Sequence, residues 1–140
     1  MQRRASTRGA VFEDFDQDGR LDAIVLNCDD TAQVLRNLTS TSNASISIRC
    51  IGRATNRDAV GARITIRSAG SKQSAEVRSG RGYQSHCGTQ IHFGLGRVPR
   101  VDEIEVLWPD GTVTRWQPPA GFRADEHEQV TTRVIIQEHP

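Results

Sequence analysis

The sequence predicts an all-β protein, and three features of its 140 residues support this fold class. Apolar and polar residues alternate with a period of two in several segments, which is typical of half-buried strands. Clusters of glycine, serine and proline separate these segments and mark turns. The one helical candidate is the stretch 29–37, which is long enough for only a turn or two. The chain therefore falls among proteins built mainly from sheets.

The first two predicted strands flank an aspartate-rich loop, whose sequence over residues 14–22 is DFDQDGRLD. Its first three aspartates recur at every second position, and Gly19 permits a sharp turn. Ca²⁺ takes six to eight oxygen ligands at about 2.3–2.6 Å, and this spacing supplies several of them from a short loop. The predicted Ca²⁺ ligands are Asp14, Asp16, Asp18, the backbone carbonyl of Arg20, and Asp22.

The loop opens like an EF-hand but lacks the other features of that motif. An EF-hand needs a bidentate glutamate at loop position twelve, where this chain has Val25, and helices rather than strands on both sides. Two carboxylates about 4 Å apart repel by about 4 kcal/mol at an effective dielectric constant of about 20. Arg20 offsets part of this repulsion, whereas a bound divalent cation converts it into ligation. The alternative is an open turn whose aspartates point into water.

The polar segment LTSTSNAS, residues 38–45, predicts a linker between two units. The N-terminal unit spans residues 1–37 and the main domain spans residues 46–140. Strand candidates in the main domain are SISIRC, ARITIRS, DEIEVLWPDGTVTRW with a hairpin turn at Pro109-Asp110-Gly111, and the segment from Thr131 to Gln137. Their alternation predicts a β-sandwich-like domain with these inward-facing residues: Ile46, Ile48, Cys50, Ile64, Ile66, Ile104, Val106 and Trp108.

Composition argues against nucleic-acid binding and against insertion into a membrane. Eighteen basic and seventeen acidic residues give a net charge of +1, and aromatic residues are few. No apolar run approaches the roughly 18 residues needed to span a bilayer, and the opening residues show no hydrophobic core of a signal peptide. Three widely spaced cysteines, Cys28, Cys50 and Cys87, match neither a disulfide framework nor a metal motif. We expect three buried reduced thiols, with a single bridge as the alternative.

The segment SGRGYQSHCG, residues 79–88, collects chemically active side chains without a catalytic arrangement. His86 and Cys87 are adjacent, and adjacent side chains on a strand point to opposite faces. His86 is therefore badly placed to activate the thiol of Cys87. The sequence predicts no catalytic residue, and the chain is expected not to be an enzyme.

A ligand site built from aromatic and basic side chains is the remaining candidate. Exposed aromatic rings stack on sugars, and arginine binds anions through forked hydrogen bonds. The candidate ligand-binding residues are Arg81, Tyr83, Trp108 and Trp116. The alternation instead favours Trp108 as a core residue, and a solvated strand face is the alternative for the arginines Arg63, Arg67, Arg78 and Arg81.

Two family resemblances cover nearly the whole chain. The segment GAVFEDFDQDGRLDAIVLN resembles one repeat of the FG-GAP/VCBS β-propellers, with VLRN as its trailing strand, over about residues 9–37. The remainder resembles the ASPIC/UnbV domain, which follows such propellers in secreted proteins. The motifs that carry the second resemblance are NRDAVGARITI, EVRSGRGYQS, IHFGLG and VDEIEVLWPDGTVTRW.

These resemblances imply a secreted or surface protein with calcium-dependent adhesion or recognition and no established catalysis. A propeller needs four or more blades to close, and this chain has one aspartate loop. It is therefore expected to be a partial blade plus the C-terminal domain of a longer protein, with a protein or polysaccharide partner at the cell surface. The alternatives are a carbohydrate-binding module that uses exposed aromatics, and an accessory protein of a biosynthetic pathway.

Overall fold

The computed structural model describes residues 6–124 and 132–139, which contain ten strands and no helix. Accordingly, no helix in this part of the chain is long and apolar enough to cross a membrane. The strands form three sheets. Their bounds are β1 (Thr7–Glu13), β2 (Asp22–Asn27), β3 (Gln33–Leu35), β4 (Ala44–Ile51), β5 (Arg63–Ser68), β6 (Ser71–Glu76), β7 (Ile91–Gly96), β8 (Glu103–Leu107), β9 (Val113–Trp116) and β10 (Thr132–Gln137).

The first sheet has the order β1-β2-β3 and is antiparallel throughout. β1 and β2 form the hairpin around the aspartate loop, with Glu13 paired to Asp22 at its closed end. The helical expectation for residues 29–37 is wrong, because Val34 pairs with Ile24 and the segment completes the sheet as β3. The predicted trailing strand at VLRN is confirmed for its first two residues.

The other two sheets have the orders β10-β4-β7 and β6-β5-β8-β9. All their neighbouring strands are antiparallel except β10 and β4, which run parallel from the pair Thr132–Ile46 to the pair Gln137–Ile51. β4 begins at Ala44, two residues inside the segment predicted as a linker. The strand candidate at the end of the chain corresponds to β10; its predicted first residue, Thr131, lies outside the described residues.

Both of these sheets contribute side chains to one hydrophobic core. The predicted alternation is confirmed, since Ile64 and Ile66 of β5 are fully buried while the flanking residues Arg63 and Arg67 are exposed. All eight residues predicted to face inward are buried. The remaining members of the core are Ala59, Ala62, Val77, Ile91, Phe93, Val101, Ala124, Val134 and Ile136.

The predicted hairpin at Pro109-Asp110-Gly111 is confirmed as the β8–β9 connection. Asp110 accepts hydrogen bonds from the amide and the hydroxyl of Thr112 at 2.9 and 2.8 Å, and these bonds hold the pKa of its carboxyl below the ordinary value. Gly111 adopts a φ of 89°, a left-handed conformation that favours glycine. Local chemistry therefore determines this turn.

The three cysteines are free thiols in three different environments, so the expectation that all are buried is wrong. Cys50 is buried in the core, and this burial raises the pKa of its thiol to about 12. Cys28 is exposed and Cys87 is half-buried. The physical reason is position, because only Cys50 lies on the inward face of a strand that faces the core.

Glu138, directly after β10, is buried and fastens the end of this strand to the loop that follows β4. Its Oε2 accepts hydrogen bonds from the successive amides of Arg53, Ala54 and Thr55 at 2.6, 2.7 and 2.9 Å, and from the Thr55 hydroxyl at 3.2 Å. Burial opposes ionisation, but the bonds from these amides outweigh it and hold the pKa of Glu138 below its ordinary value. A row of backbone amides is a typical anion-binding arrangement.

Truncating Ile64 tests the shared core. Ile64→Ala removes a fully buried side chain from a central strand and is expected to lower the free energy of unfolding by about 2–5 kcal/mol. The matched control is Ile135→Ala, because Ile135 is 62% exposed; its cost should stay below about 1 kcal/mol. Urea unfolding measures both. Equal losses would contradict the assignment of Ile64 to the core.

Neutralising Glu138 tests the fastening of β10. Glu138→Gln removes a charge that four donors stabilise, and it is expected to lower the unfolding temperature by about 5–10 °C at pH 7. Because the pKa of Glu138 is lowered by folding, its contribution is complete above the unfolded value of about 4.5 and is lost as the pH falls through the folded value. Thermal unfolding between pH 7 and pH 3 should therefore show the two proteins converging.

The control for this experiment is Glu103→Gln, which removes a partly exposed ion pair with Arg67 at 3.3 Å. Surface pairs contribute little to stability, so this variant should unfold close to the wild type at every pH. A difference between wild type and Glu138→Gln that stays constant down to pH 3 would contradict the proposed role of the Glu138 charge.

Candidate metal centre

Asp14 organises the loop between β1 and β2. Its side chain is only 5% exposed. The backbone amide of Asp18 donates to its Oδ1 at 2.9 Å, and the amide of Gly19 donates to its Oδ2 at 3.1 Å. Gly19 has a φ of 86°, a conformation in which residues with a Cβ are strained. The carboxylate and the glycine together fold the chain into a tight turn.

The turn brings three of the predicted ligands together. Asp14, Asp16 and Asp18 each offer a carboxylate oxygen, and these oxygens all lie within 4.8 Å of one another. Two oxygens bound to one Ca²⁺ at 2.3–2.6 Å can be at most about 5 Å apart, so the three oxygens have a spacing that one ion can bridge. Carboxylate oxygens are also the hard donors that Ca²⁺ prefers. The donor set therefore fits the ion that the sequence predicts.

Two arginines offset part of the negative charge of the loop. The Arg36 Nε donates to Oδ2 of Asp16 at 2.6 Å, and its Nη2 lies 3.7 Å from Oδ2 of Asp18. Arg20 pairs with Asp18 through its guanidinium group, as the sequence suggested. Partial desolvation works against ionisation of Asp16, but the hydrogen bond and charge of Arg36 outweigh it, and the pKa of Asp16 is lowered.

The side chains of Asp22 and Arg20 both bond to the backbone of Asn37, which follows β3. Asp22 is 4% exposed, and its Oδ1 accepts a hydrogen bond from the amide of Asn37 at 2.7 Å. The Nε of Arg20 donates to the carbonyl of the same Asn37 at 2.8 Å. These two residues therefore hold the chain after β3 against the loop, and Asp22 does not join the group of three within 4.8 Å.

The loop also contacts the main domain. The hydroxyl of Ser45, at the start of β4, donates to the carbonyl of Gly19 at 3.1 Å. The charge of Asp14 acts on two neighbouring groups. Burial raises the pKa of Glu13 and the charge of Asp14 adds to this rise. Burial lowers the pKa of His92 on β7, and the same charge opposes that fall. The carboxylate cluster thus lies at the junction of the N-terminal sheet and the main domain.

The four candidate ligand-binding residues do not form one surface. Trp108 is 2% exposed, and its indole Nε1 donates to the Thr114 hydroxyl at 2.8 Å, so it is a core residue and presents no face to a ligand. Trp116 is half-buried against Phe122, edge to face, with ring centroids 5.4 Å apart. Tyr83 is 63% exposed and lies near Arg81 in the loop 79–88, beside β1.

The other side chains considered for chemistry have structural partners. The Nδ1 of His86 accepts from the amide of Gly80 at 3.3 Å, and the sulfur of Cys87 lies 4.0 Å from the carbonyl of Arg81. In the arginine face, Arg67 pairs with Glu103 and Arg78 pairs with Glu76. The solvated alternative therefore suits those two arginines.

Sequence reasoning missed Arg36, Asn37 and Ser45 as parts of the loop environment. The predicted trailing strand at 34–37 was the available signal for the first two, because a third antiparallel strand returns its end to the β1–β2 loop. The contact of Ser45 with Gly19 joins residues 26 positions apart. No local pattern in the sequence reports a contact of that kind.

Comparison with known proteins gives two matches. A family model described as ASPIC and UnbV matches residues 52–132, which is more than half of the chain. Cartilage acidic protein 1 of Mus musculus is 34% identical over 108 residues, which cover 74% of this chain and 16% of the mouse protein. The chain thus spans about a sixth of the length of this curated relative. The family model covers all four motifs noted in the main domain, and the chain belongs to the ASPIC and UnbV family.

Proposed function

We propose that this chain is a non-catalytic, calcium-binding recognition module of an extracellular protein. The observation that carries the proposal is the convergence of the Asp14, Asp16 and Asp18 oxygens within 4.8 Å on a tight strand-connecting loop. The carbonyl of Arg20 and the carboxylate of Asp22 are the further proposed ligands, and Asp22, which lies outside the group of three, would have to move toward the ion to bind it. Bound Ca²⁺ supplies positive charge that relieves the carboxylate repulsion and stiffens the loop.

The first sheet is proposed to be part of a β-propeller blade in a longer protein. Its strands β2 and β3 leave large apolar side chains in solvent, with Val34 70%, Leu35 53% and Leu26 47% exposed. Contiguous exposed apolar surface is typical of sites that another protein surface covers. Neighbouring blades would cover it, and the small share of the mouse relative that this chain spans supports a longer natural protein.

The proposed location is outside the cell, and the proposed partner is a protein or polysaccharide at the cell surface. A relative named for cartilage supports this location. The proposal includes no catalytic step, because in the described part of the chain His86 binds the Gly80 amide and no contact joins it to the thiol of Cys87.

Removing two ligands tests the calcium site. The double variant Asp16→Ala with Asp18→Ala is expected to weaken Ca²⁺ binding by about a hundredfold or more, because two of the three clustered carboxylates are lost. Isothermal calorimetry with Ca²⁺ measures the change. Asp110→Ala is the matched control, since this aspartate also bonds within a turn but lies in the β8–β9 hairpin. Equal heats from the wild type and the double variant would refute the site.

Arg36 provides a second test of the same loop. Its guanidinium occupies Oδ2 of Asp16, so an ion that uses this oxygen must displace it. Arg36→Gln is expected to tighten Ca²⁺ binding by about two- to fivefold, the range that exposed ion pairs contribute. Arg67→Gln removes a comparable surface ion pair far along the chain and should leave affinity unchanged. Weaker binding in Arg36→Gln would show that the arginine supports the ion instead of competing with it.

A further inference from the structure

A groove of about 570 Å³ lies between β1 and the loop 79–88. None of the three clustered aspartates lines it, and Leu21 is the residue of the aspartate loop that does. Both walls combine basic and apolar side chains. The lining residues that matter for its chemistry are Arg8, Phe12, Leu21, Arg81, Tyr83 and Cys87.

Close packing fixes the two walls against each other. A Cβ atom at Gly9 of β1 would lie 2.6 Å from the hydroxyl oxygen of Ser85 and 3.2 Å from the carbonyl oxygen of Tyr83. Only a glycine lets the loop approach this closely. Within the loop, the Ser85 hydroxyl donates to that same carbonyl at 2.8 Å, and Gly82 adopts a φ of 111°. The close approach of Gly9 to Ser85 and Tyr83 therefore holds β1 and the loop 79–88 side by side.

Two arginines, Arg8 and Arg81, line the groove. Arg8 forms no ion pair or side-chain hydrogen bond within residues 6–124 and 132–139. Arg81 donates from Nη2 to the carbonyl of Glu76 at 3.2 Å, a bond that orients the guanidinium without neutralising it. Among the described residues no acidic side chain lines the groove, and nearby Glu13 offsets part of the Arg81 charge. Elsewhere on the surface, Arg100 and Arg115 pair with the carboxylates of Asp102 and Glu105.

Exposed aromatic rings stand beside these two arginines. Tyr83 is 63% exposed and Phe12 is 59% exposed, so both offer ring faces to a ligand. A small inorganic anion would bind the arginines and leave the aromatic rings in water. A neutral sugar would contact the rings and leave the arginines without an anionic partner. An acidic sugar presents an apolar C–H face and an anionic group on one rigid ring, which matches both features. Guanidinium groups bind carboxylate and sulfate through paired hydrogen bonds.

We infer that this groove binds an acidic saccharide residue, with Arg8 and Arg81 on its carboxylate or sulfate group and Tyr83 stacked on its ring. The inference rests on the proposed function, because it assigns the polysaccharide partner to this groove, but it does not depend on the calcium site.

Calorimetric titration of the full chain with a galacturonate hexamer tests the inference, and a heparin hexasaccharide serves as the sulfated arm. Arg81→Gln and Tyr83→Ala are each expected to weaken binding by about tenfold, the loss of one charge-assisted bond or one stacking contact. Arg67→Gln is the matched control, because this arginine lies on β5 and does not line the groove. Circular dichroism of each variant verifies folding.

Ligand charge and calcium are controlled separately. The methyl-esterified hexamer keeps the sugar rings without the charge and should bind at least about tenfold more weakly. A hexamer of glutamate carries the charge without the sugar rings, and it should bind as weakly as the methyl-esterified hexamer. Titrations in EDTA should give the same affinity as those in Ca²⁺, so failure of the calcium site leaves this result unaffected. Equal binding of the glutamate hexamer, or equal affinity in Arg81→Gln, Tyr83→Ala and wild type, would overturn the inference.

Discussion

Repulsion among the carboxylates of Asp14, Asp16 and Asp18 is the constraint around which the N-terminal sheet is arranged. Two groups of donors reduce this repulsion. Backbone amides donate to Asp14, and guanidinium groups pair with Asp16 and Asp18. Arg36 comes from the end of β3, so the third strand supplies charge as well as backbone pairing. The position of β3 and the shape of the loop therefore support each other, and a cation entering the loop would change both.

The main domain depends mainly on apolar packing, to which the buried Glu138 carboxylate adds a charged contact at the end of β10. β4, β7 and β10 from one sheet and β5 and β8 from the other fill one core with branched aliphatic side chains and Trp108. Charged residues on the outer faces pair across strands, as Arg67 does with Glu103 and Arg115 with Glu105. The two units meet where Ser45 bonds Gly19 and where Gly9 admits the loop 79–88. These two contacts connect the N-terminal sheet directly to the main domain.

Alternation of apolar residues made the strands of the core predictable, because a period of two reports burial on one face of a sheet. Turn chemistry made the β8–β9 hairpin predictable, and carboxylate spacing predicted three neighbouring oxygens at the loop. Local signals indicated a helix for residues 29–37, but three of these residues pair with β2 and form the strand β3. Asp22 was expected beside the other ligands, but its bond to Asn37 depends on where β3 ends. Contacts between distant segments, such as Glu138 with Arg53, leave no local pattern.

The fastening at Glu138 has a consequence for synthesis on the ribosome. The amides of Arg53, Ala54 and Thr55 emerge 83 to 85 residues before the carboxylate that they bind. β4 likewise acquires its parallel neighbour only when β10 has been translated. A nascent chain therefore carries an unfilled row of amide donors and one unpaired strand edge until β10 and Glu138 have been translated. During that interval, the growing polypeptide exposes a surface to which chaperones or anions have access and from which the finished protein excludes them.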